Sequence, residues 1–188
     1  MRLFVALPLE EAGIRELLRY RQMLERLGVR GNFTRPENLH ITLAFLGEQP
    51  DWETAAEALD PVEIIPGLLR LDRLDSFGKG GILGICPTDD APVRSLAASV
   101  ESALRSAGFA LEKRRFRAHV TLCRKLTAPR GCILPPPPAV EVPVEEMVLY
   151  LSHRPEGQLT YTPLWRKKPG VSGTENSSFF PEKGNCAE

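Results

Sequence analysis

Two four-residue segments constrain this chain more than anything else in it: His40-Ile41-Thr42-Leu43 and His119-Val120-Thr121-Leu122. In each, polar and apolar residues alternate with period two, the pattern of a strand with one face on a core and the other in a cleft. Histidine and threonine project together, and the apolar pair points the opposite way. The chain has three histidines and nine threonines. Placed at random, two of three histidines would have a threonine two positions on in roughly one per cent of such sequences. A lone His-x-Thr on a strand reads as a hydrogen-bonded structural pair. The repetition in a like context reads as a divided site.

Elements on either side of the motifs alternate between strand and helix. The segment from Arg2 to Leu7, bounded by Pro8, reads as a buried strand. Ile14, Leu17, Leu18, Leu24 and Leu27 recur at helical spacing before Gly28. His40 to Leu46 is extended, and Asp51 can cap a short helix presenting Trp52, Ala55, Ala56 and Leu59. Leu68–Leu74 and Ile82–Cys86 read as strands around the turn Gly78-Lys79-Gly80-Gly81. Val93, Leu96, Ala97, Val100, Leu104 and Ala107 form the clearest amphipathic helix, stopped by Gly108. Glu146–Ser152 and Thr160–Trp165 complete the strands, and Pro135–Pro138 must be an extended connection. The expected organisation is one domain over residues 1–167, with a disordered tail over 168–188 rich in Gly, Ser, Asn and Pro.

Lys plus Arg and Asp plus Glu each total 24, so the formal net charge is zero. A duplex-coating protein would need a broad positive face to neutralise many phosphates, and this balance argues against one. A local basic pocket for a single anionic group remains compatible with it. The N-terminal apolar run is too short for a secretory signal, no stretch reaches membrane-spanning length, and a cytoplasmic monomer is expected. Cys86, Cys123, Cys132 and Cys186 lack C-x-x-C or zinc-ligand spacing and read as reduced thiols. No third ligand is spaced to join His40 and His119, so neither a metal nor any other cofactor is expected. There is no G-x-S-x-G elbow for a serine nucleophile, and Cys123 reads as a packed or lining thiol.

Two imidazoles facing each other suit in-line displacement at phosphorus, where nucleophile and leaving oxygen lie on opposite sides. One group removes a proton from water, and another gives one to the departing oxygen. Histidine serves both roles because its pKa lies near neutrality. Thr42 and Thr121 can donate to non-bridging oxygens as charge accumulates there. His153 lacks the threonine two residues on and reads as an exposed loop residue.

The sequence resembles the RNA 2′,3′-cyclic phosphodiesterase (2′-5′ RNA ligase) family of the two-histidine phosphoesterase superfamily, from Met1 to about Arg166. The resemblance is carried by Arg2-Leu3-Phe4-Val5-Ala6-Leu7, by Glu37 through Glu48, by Phe116 through Arg124, and by Leu149-Tyr150-Leu151-Ser152 with Gly157 and Tyr161. It implies a bilobal α+β fold, with two antiparallel sheets flanking a central groove and helices outside. It further implies that His40 is the proton donor, that His119 is the proton acceptor and that Arg124 contacts the phosphate or stacks on the base. The implied partners are RNA ends or small nucleotides bearing a 2′,3′-cyclic phosphate, hydrolysed to 2′-phosphates, with 2′-5′ ligation as the reverse reaction. Lys113, Arg114, Arg115 and Arg117 can add positive potential, and Phe77 can offer a stacking platform. Two positions depart from the family pattern. Ala118 stands where proline commonly precedes the second histidine, and Ile82-Leu83-Gly84-Ile85 lacks a customary aromatic residue. Two other readings fit the same motifs: a non-catalytic nucleotide-binding module, and an enzyme acting on another 2′-phosphodiester.

Overall fold

The computed structural model describes residues 1–77, 81–112 and 115–175. Apolar alternation and short turns yield ten strands: β1 (Arg2–Pro8), β2 (Arg30–Phe33), β3 (His40–Glu48), β4 (Leu68–Phe77), β5 (Ile82–Pro87), β6 (Val120–Thr127), β7 (Val140–Pro143), β8 (Met147–His153), β9 (Thr160–Lys167) and β10 (Thr174–Glu175). Three α-helices accompany them: α1 (Glu11–Arg26), α2 (Glu53–Leu59) and α3 (Ala91–Ser106). The strands follow one antiparallel path, β10-β9-β8-β1-β3-β6-β5-β4-β7, with β2 paired to β6. The expected pair of separate sheets is therefore a single hydrogen-bonded sheet. Its halves join at β3 and β6, where Ile41↔Val120 is the register pair, and both side chains are fully buried.

Each motif strand carries a β-bulge at the same motif position. Between Val5↔Ala44 and Ala6↔Thr42, β3 has one residue more than β1, which is Leu43. Between Leu83↔Cys123 and Gly84↔Thr121, β6 has one more than β5, which is Leu122. Such insertions bend a strand and raise its twist, so the sheet curls just where its two halves meet. They also reverse the alternation beyond the motif.

The helices pack across the seam. α1 follows β1 in the first half yet lies against β7 in the second, and α3 follows β5 yet packs on β3 and β4. α3 buries Val93, Leu96, Ala97, Val100 and Leu104, the stripe expected from its periodicity. α2 buries Ala55, Ala56 and Leu59 with Trp52 beside them, and Asp51 Oδ1 accepts from Thr54 N at 3.0 Å, as a capping side chain does. On α1 the expectation is partly corrected, because Leu27 is exposed and Tyr20 takes the core face, its hydroxyl donating to Pro135 O at 2.6 Å. β2 and β7 were not legible: one contains Gly31 and Asn32, and the other ends in proline.

The chain does not leave the fold at residue 168. Thr174 and Glu175 pair with Arg166 and Trp165, and Gly173 N donates to Asp60 Oδ1 at 2.6 Å. A Cβ at Gly173 would fall on the Trp165 indole, so only glycine permits this approach. Residues 176–188 of the expected tail, and Gly78–Gly80 of the expected turn, lie outside the described residues. If the seam organises the sheet, Ile41→Ala should lower the unfolding free energy by about 2–5 kcal/mol, the usual range for a fully buried isoleucine. Urea denaturation measures this, and a loss below about 1 kcal/mol would show that the seam matters little.

Candidate active site

Ile41 and Val120 are directly opposed in antiparallel strands, which sets the two motifs side by side in opposite directions. His40 therefore lies toward Thr121, and Thr42 lies toward His119. All four line one cavity of about 760 Å³, with Phe4, Phe45, Phe77, Arg124 and Tyr161 also on its wall. A smaller recess of about 180 Å³ opens beside it and shares His40, Thr121, Arg124 and Tyr161.

Both imidazoles are anchored the same way. His40 Nδ1 lies 2.8 Å from Asn38 O, and His119 Nδ1 lies 2.8 Å from Arg117 O, each the carbonyl two residues earlier. A carbonyl can only accept, so Nδ1 carries the proton in both rings and Nε2 is the unprotonated nitrogen of the neutral imidazole. His40 Nε2 is 2.9 Å from Thr42 Oγ1, and in the neutral ring the hydroxyl donates to it. The Asn38 carbonyl is itself well placed: Asn38 is buried, and its Nδ2 donates to Leu159 O at 3.0 Å.

Aromatic rings fix the imidazole planes. Phe4 and Tyr161 pack on His40 with centroids at 5.0 and 5.2 Å, Tyr161 edge-on. Phe77 packs on His119 at 4.5 Å, and the Arg117 guanidinium sits 4.7 Å from the Phe77 centroid. A Cβ on Gly84 would lie 2.6 Å from Phe77 Cε2. The strand lacking the customary aromatic residue thus leaves the gap in which Phe77, from the neighbouring strand, is seated.

Burial drives the pKa of His40 down to about 4, reinforced by the charges of His119 and Arg124 and opposed by the hydrogen bond to Asn38. Above about that pH the unliganded ring is neutral. Around it the wall carries Arg2, Arg115, Arg117, Arg124 and Arg154 and no carboxylate among its described residues. A chain of zero net charge has concentrated cations where an anion would enter.

All five expected site residues, His40, Thr42, His119, Thr121 and Arg124, come together. Arg124 does so because Leu122 and Cys123 are both buried, so the bulge returns the next residue to the side of Thr121. The same parity change puts Phe45 on the wall three residues after Thr42. Cys123 is packed, with no exposure to the cavity. Arg115 and Arg117 are in place, whereas Lys113 and Arg114 lie outside the described residues. His153 is not an exposed loop residue: it ends β8, half-buried, with Nε2 2.8 Å from Thr162 Oγ1. Arg2, Phe4, Ser152, Arg154 and Tyr161 were not expected at the site, since only strand pairing brings them there. Among the described residues, no three His, Cys, Asp or Glu side chains are grouped to hold a metal ion. No helix among them is long and apolar enough to cross a membrane.

The chain is similar to known proteins over most of its length. The family model for LigT-like phosphoesterases matches residues 7–84. An RNA 2′,3′-cyclic phosphodiesterase of Archaeoglobus fulgidus is 36% identical over 131 residues, covering 66% of this chain and 72% of that one. That of Escherichia coli K12 is 30% identical over 175 residues, covering 88% and 94%. The crystal structure of E. coli LigT complexed with 3′-AMP superposes with a TM-score of 0.77 at 27% identity, covering 90% of this chain and 98% of that one. With its two half-sheets, paired motifs and cationic cleft, the chain belongs to the LigT-like phosphoesterase family.

Proposed function

We propose that this protein hydrolyses 2′,3′-cyclic phosphate ends of RNA or nucleotides to 2′-phosphomonoesters, without metal, by acid–base catalysis between His40 and His119. One observation carries the reading: two Nδ1-anchored imidazoles turn Nε2 into one arginine-lined cavity from either side of the Ile41–Val120 pair. Relatives named for this activity support it, as does a LigT structure holding a nucleotide.

In the scheme, His119 Nε2 takes a proton from water as its oxygen bonds to phosphorus. The bond from phosphorus to the 3′ oxygen breaks, and protonated His40 delivers its Nε2 proton to that oxygen. The phosphate stays on the 2′ oxygen, and solvent returns the proton from His119 to His40. Thr42, Thr121 and Arg124 hold the non-bridging oxygens. Protonation of His40 also releases the Thr42 hydroxyl, which otherwise donates to Nε2, to turn toward the phosphate. With the 5′ hydroxyl of a second RNA end in place of water, the same groups would open the cyclic phosphate to a 2′-5′ linkage, with water in excess favouring hydrolysis. A module that only binds nucleotides would need neither poised Nε2 atom.

His40→Ala and His119→Ala should each reduce turnover of a nucleoside 2′,3′-cyclic phosphate at least about a hundredfold without unfolding the protein. Retention of more than about a tenth of the rate would remove that residue from the acid–base pair. Thr42→Val and Thr121→Val should each cost about 1.5–3 kcal/mol of transition-state stabilisation. Chromatography should identify the 2′-phosphate, and a chelator should leave the rate unchanged. A 3′-phosphate would reverse the assigned orientation, while loss to chelator with rescue by a divalent ion would overturn the two-histidine scheme.

The low pKa of His40 supplies a sharper test. A value of about 4 leaves roughly one ring in a thousand protonated at pH 7, too few for an efficient donor. A bound phosphate anion opposes the charges of His119 and Arg124 and favours the imidazolium, so binding should raise the value. NMR titration of the ring should find His40 near 4 in the free protein and well above that with a 2′-nucleotide bound. If it stays near 4 with ligand, the roles exchange, with His40 as base and His119 as acid. The same shift sets acid stability. The unfolded chain binds a proton below about 6.5 that folded His40 refuses until about 4, so stability falls as pH drops through that window.

A further inference from the structure

Strand register sets a second group of anion-binding side chains beside the histidines. Arg2 on β1 pairs with Ser152 on β8, and Ser152 pairs with Tyr161 on β9. Directly opposed residues of antiparallel strands share a face, and here that face is the cavity wall. Arg154, two residues after Ser152, lines the same wall. The row thus presents two guanidinium groups and two hydroxyls. Ten arginines, from Arg15 to Arg166, pair with carboxylates. Among the described residues, neither Arg2 nor Arg154 has such a partner: Glu48, opposite Arg2 on β3, pairs with the Met1 amino group instead, and no carboxylate lines the cavity. Burial pushes the Tyr161 phenol up, while Arg124, Arg2 and Arg154 draw it down, so all three cations lie close enough to act on its oxygen.

The two guanidinium groups of this row are distinct from the groups that serve the reacting phosphate, and Tyr161 joins the row to His40. Phe4 packs on His40, and Arg2 lies two residues further along β1, about 7 Å at strand rise. That displacement is of the order of one nucleotide step in an extended strand. Uncompensated cations repel one another in a folded protein, and a second anion relieves that repulsion. Arginine forks and hydroxyl donors match phosphate oxygens in geometry.

We infer that Arg2, Ser152, Arg154 and Tyr161 form a second phosphate subsite, which takes the phosphate on the 5′ oxygen of the nucleotide whose cyclic phosphate lies between the histidines. The inference rests on the proposed function and narrows its substrate class. The preferred substrates are oligonucleotide ends, or nucleotides phosphorylated at the 5′ position, over free nucleoside cyclic phosphates.

The test compares kcat/KM for three substrates with one base: the nucleoside 2′,3′-cyclic phosphate, its 5′-phosphorylated form, and a dinucleotide ending in the same cyclic phosphate. The second and third should exceed the first by about tenfold or more, as charge-assisted hydrogen bonds do. Arg2→Gln and Arg154→Gln, both at exposed positions, should each erase most of that advantage while changing the nucleoside value by less than about threefold. Equal rates on all three substrates, or variants that slow all three alike, would overturn the subsite. So would a gain for the dinucleotide without one for the 5′-phosphorylated nucleotide, which would mean recognition of the neighbouring base. If the wild-type protein hydrolyses none of them, the proposed function fails instead. Calorimetric binding of the same three ligands then judges the subsite by the same tenfold margin.

Discussion

Everything at the site depends on one backbone pairing, Ile41 opposite Val120. It joins the halves of the sheet and sets the two motifs antiparallel, which crosses each histidine with the other motif's threonine. Both side chains of the pair are fully buried, so hydrophobic burial holds the junction and the polar residues alternate outward from it. A slip of one residue on either strand would turn histidine and threonine into the core. The arrangement of the four motif side chains is thereby tied to the stability of the sheet.

The bulges at Leu43 and Leu122 give the site its second tier. In an unbroken strand, the residue three after each threonine would face the core. With one inserted residue it faces the cavity, as Phe45 does in one half and Arg124 in the other. One half thereby gains an apolar surface and the other a cation. The asymmetry gives the two otherwise similar motifs different surroundings. The histidines differ too, since His40 is flanked by Phe4 and Tyr161, whereas His119 meets Phe77 beneath the Arg117 guanidinium.

Desolvation and charge act on His40 in the same direction, and an anion acts in the opposite one. The free cavity keeps the ring neutral through burial and through the neighbouring cations. Those cations would also attract a phosphate anion. In the proposed scheme, phosphate binding and protonation of His40 are therefore coupled electrostatically.

Local structure, and the two histidines for which we propose the acid–base roles, were legible in the residues alone. Period two at both motifs specified strands with one polar face, and the 3.6-residue stripe from Val93 to Leu104 specified α3, because side-chain projection follows from backbone geometry alone. Counting His-x-Thr pairs singled out His40 and His119, and the surrounding residues indicated the family. Tertiary structure decided what depends on pairing between distant strands. One curled sheet replaced the two expected, the assumed boundary at residue 168 gave way to a segment docked on Trp165 and Asp60, and Arg2, Ser152, Arg154 and Tyr161 became cavity wall. No local pattern marks those residues, since their position comes from hydrogen-bond register between β1, β8 and β9. That register is set by how whole strands bury their apolar faces against one another, and it exists only once the chain has folded.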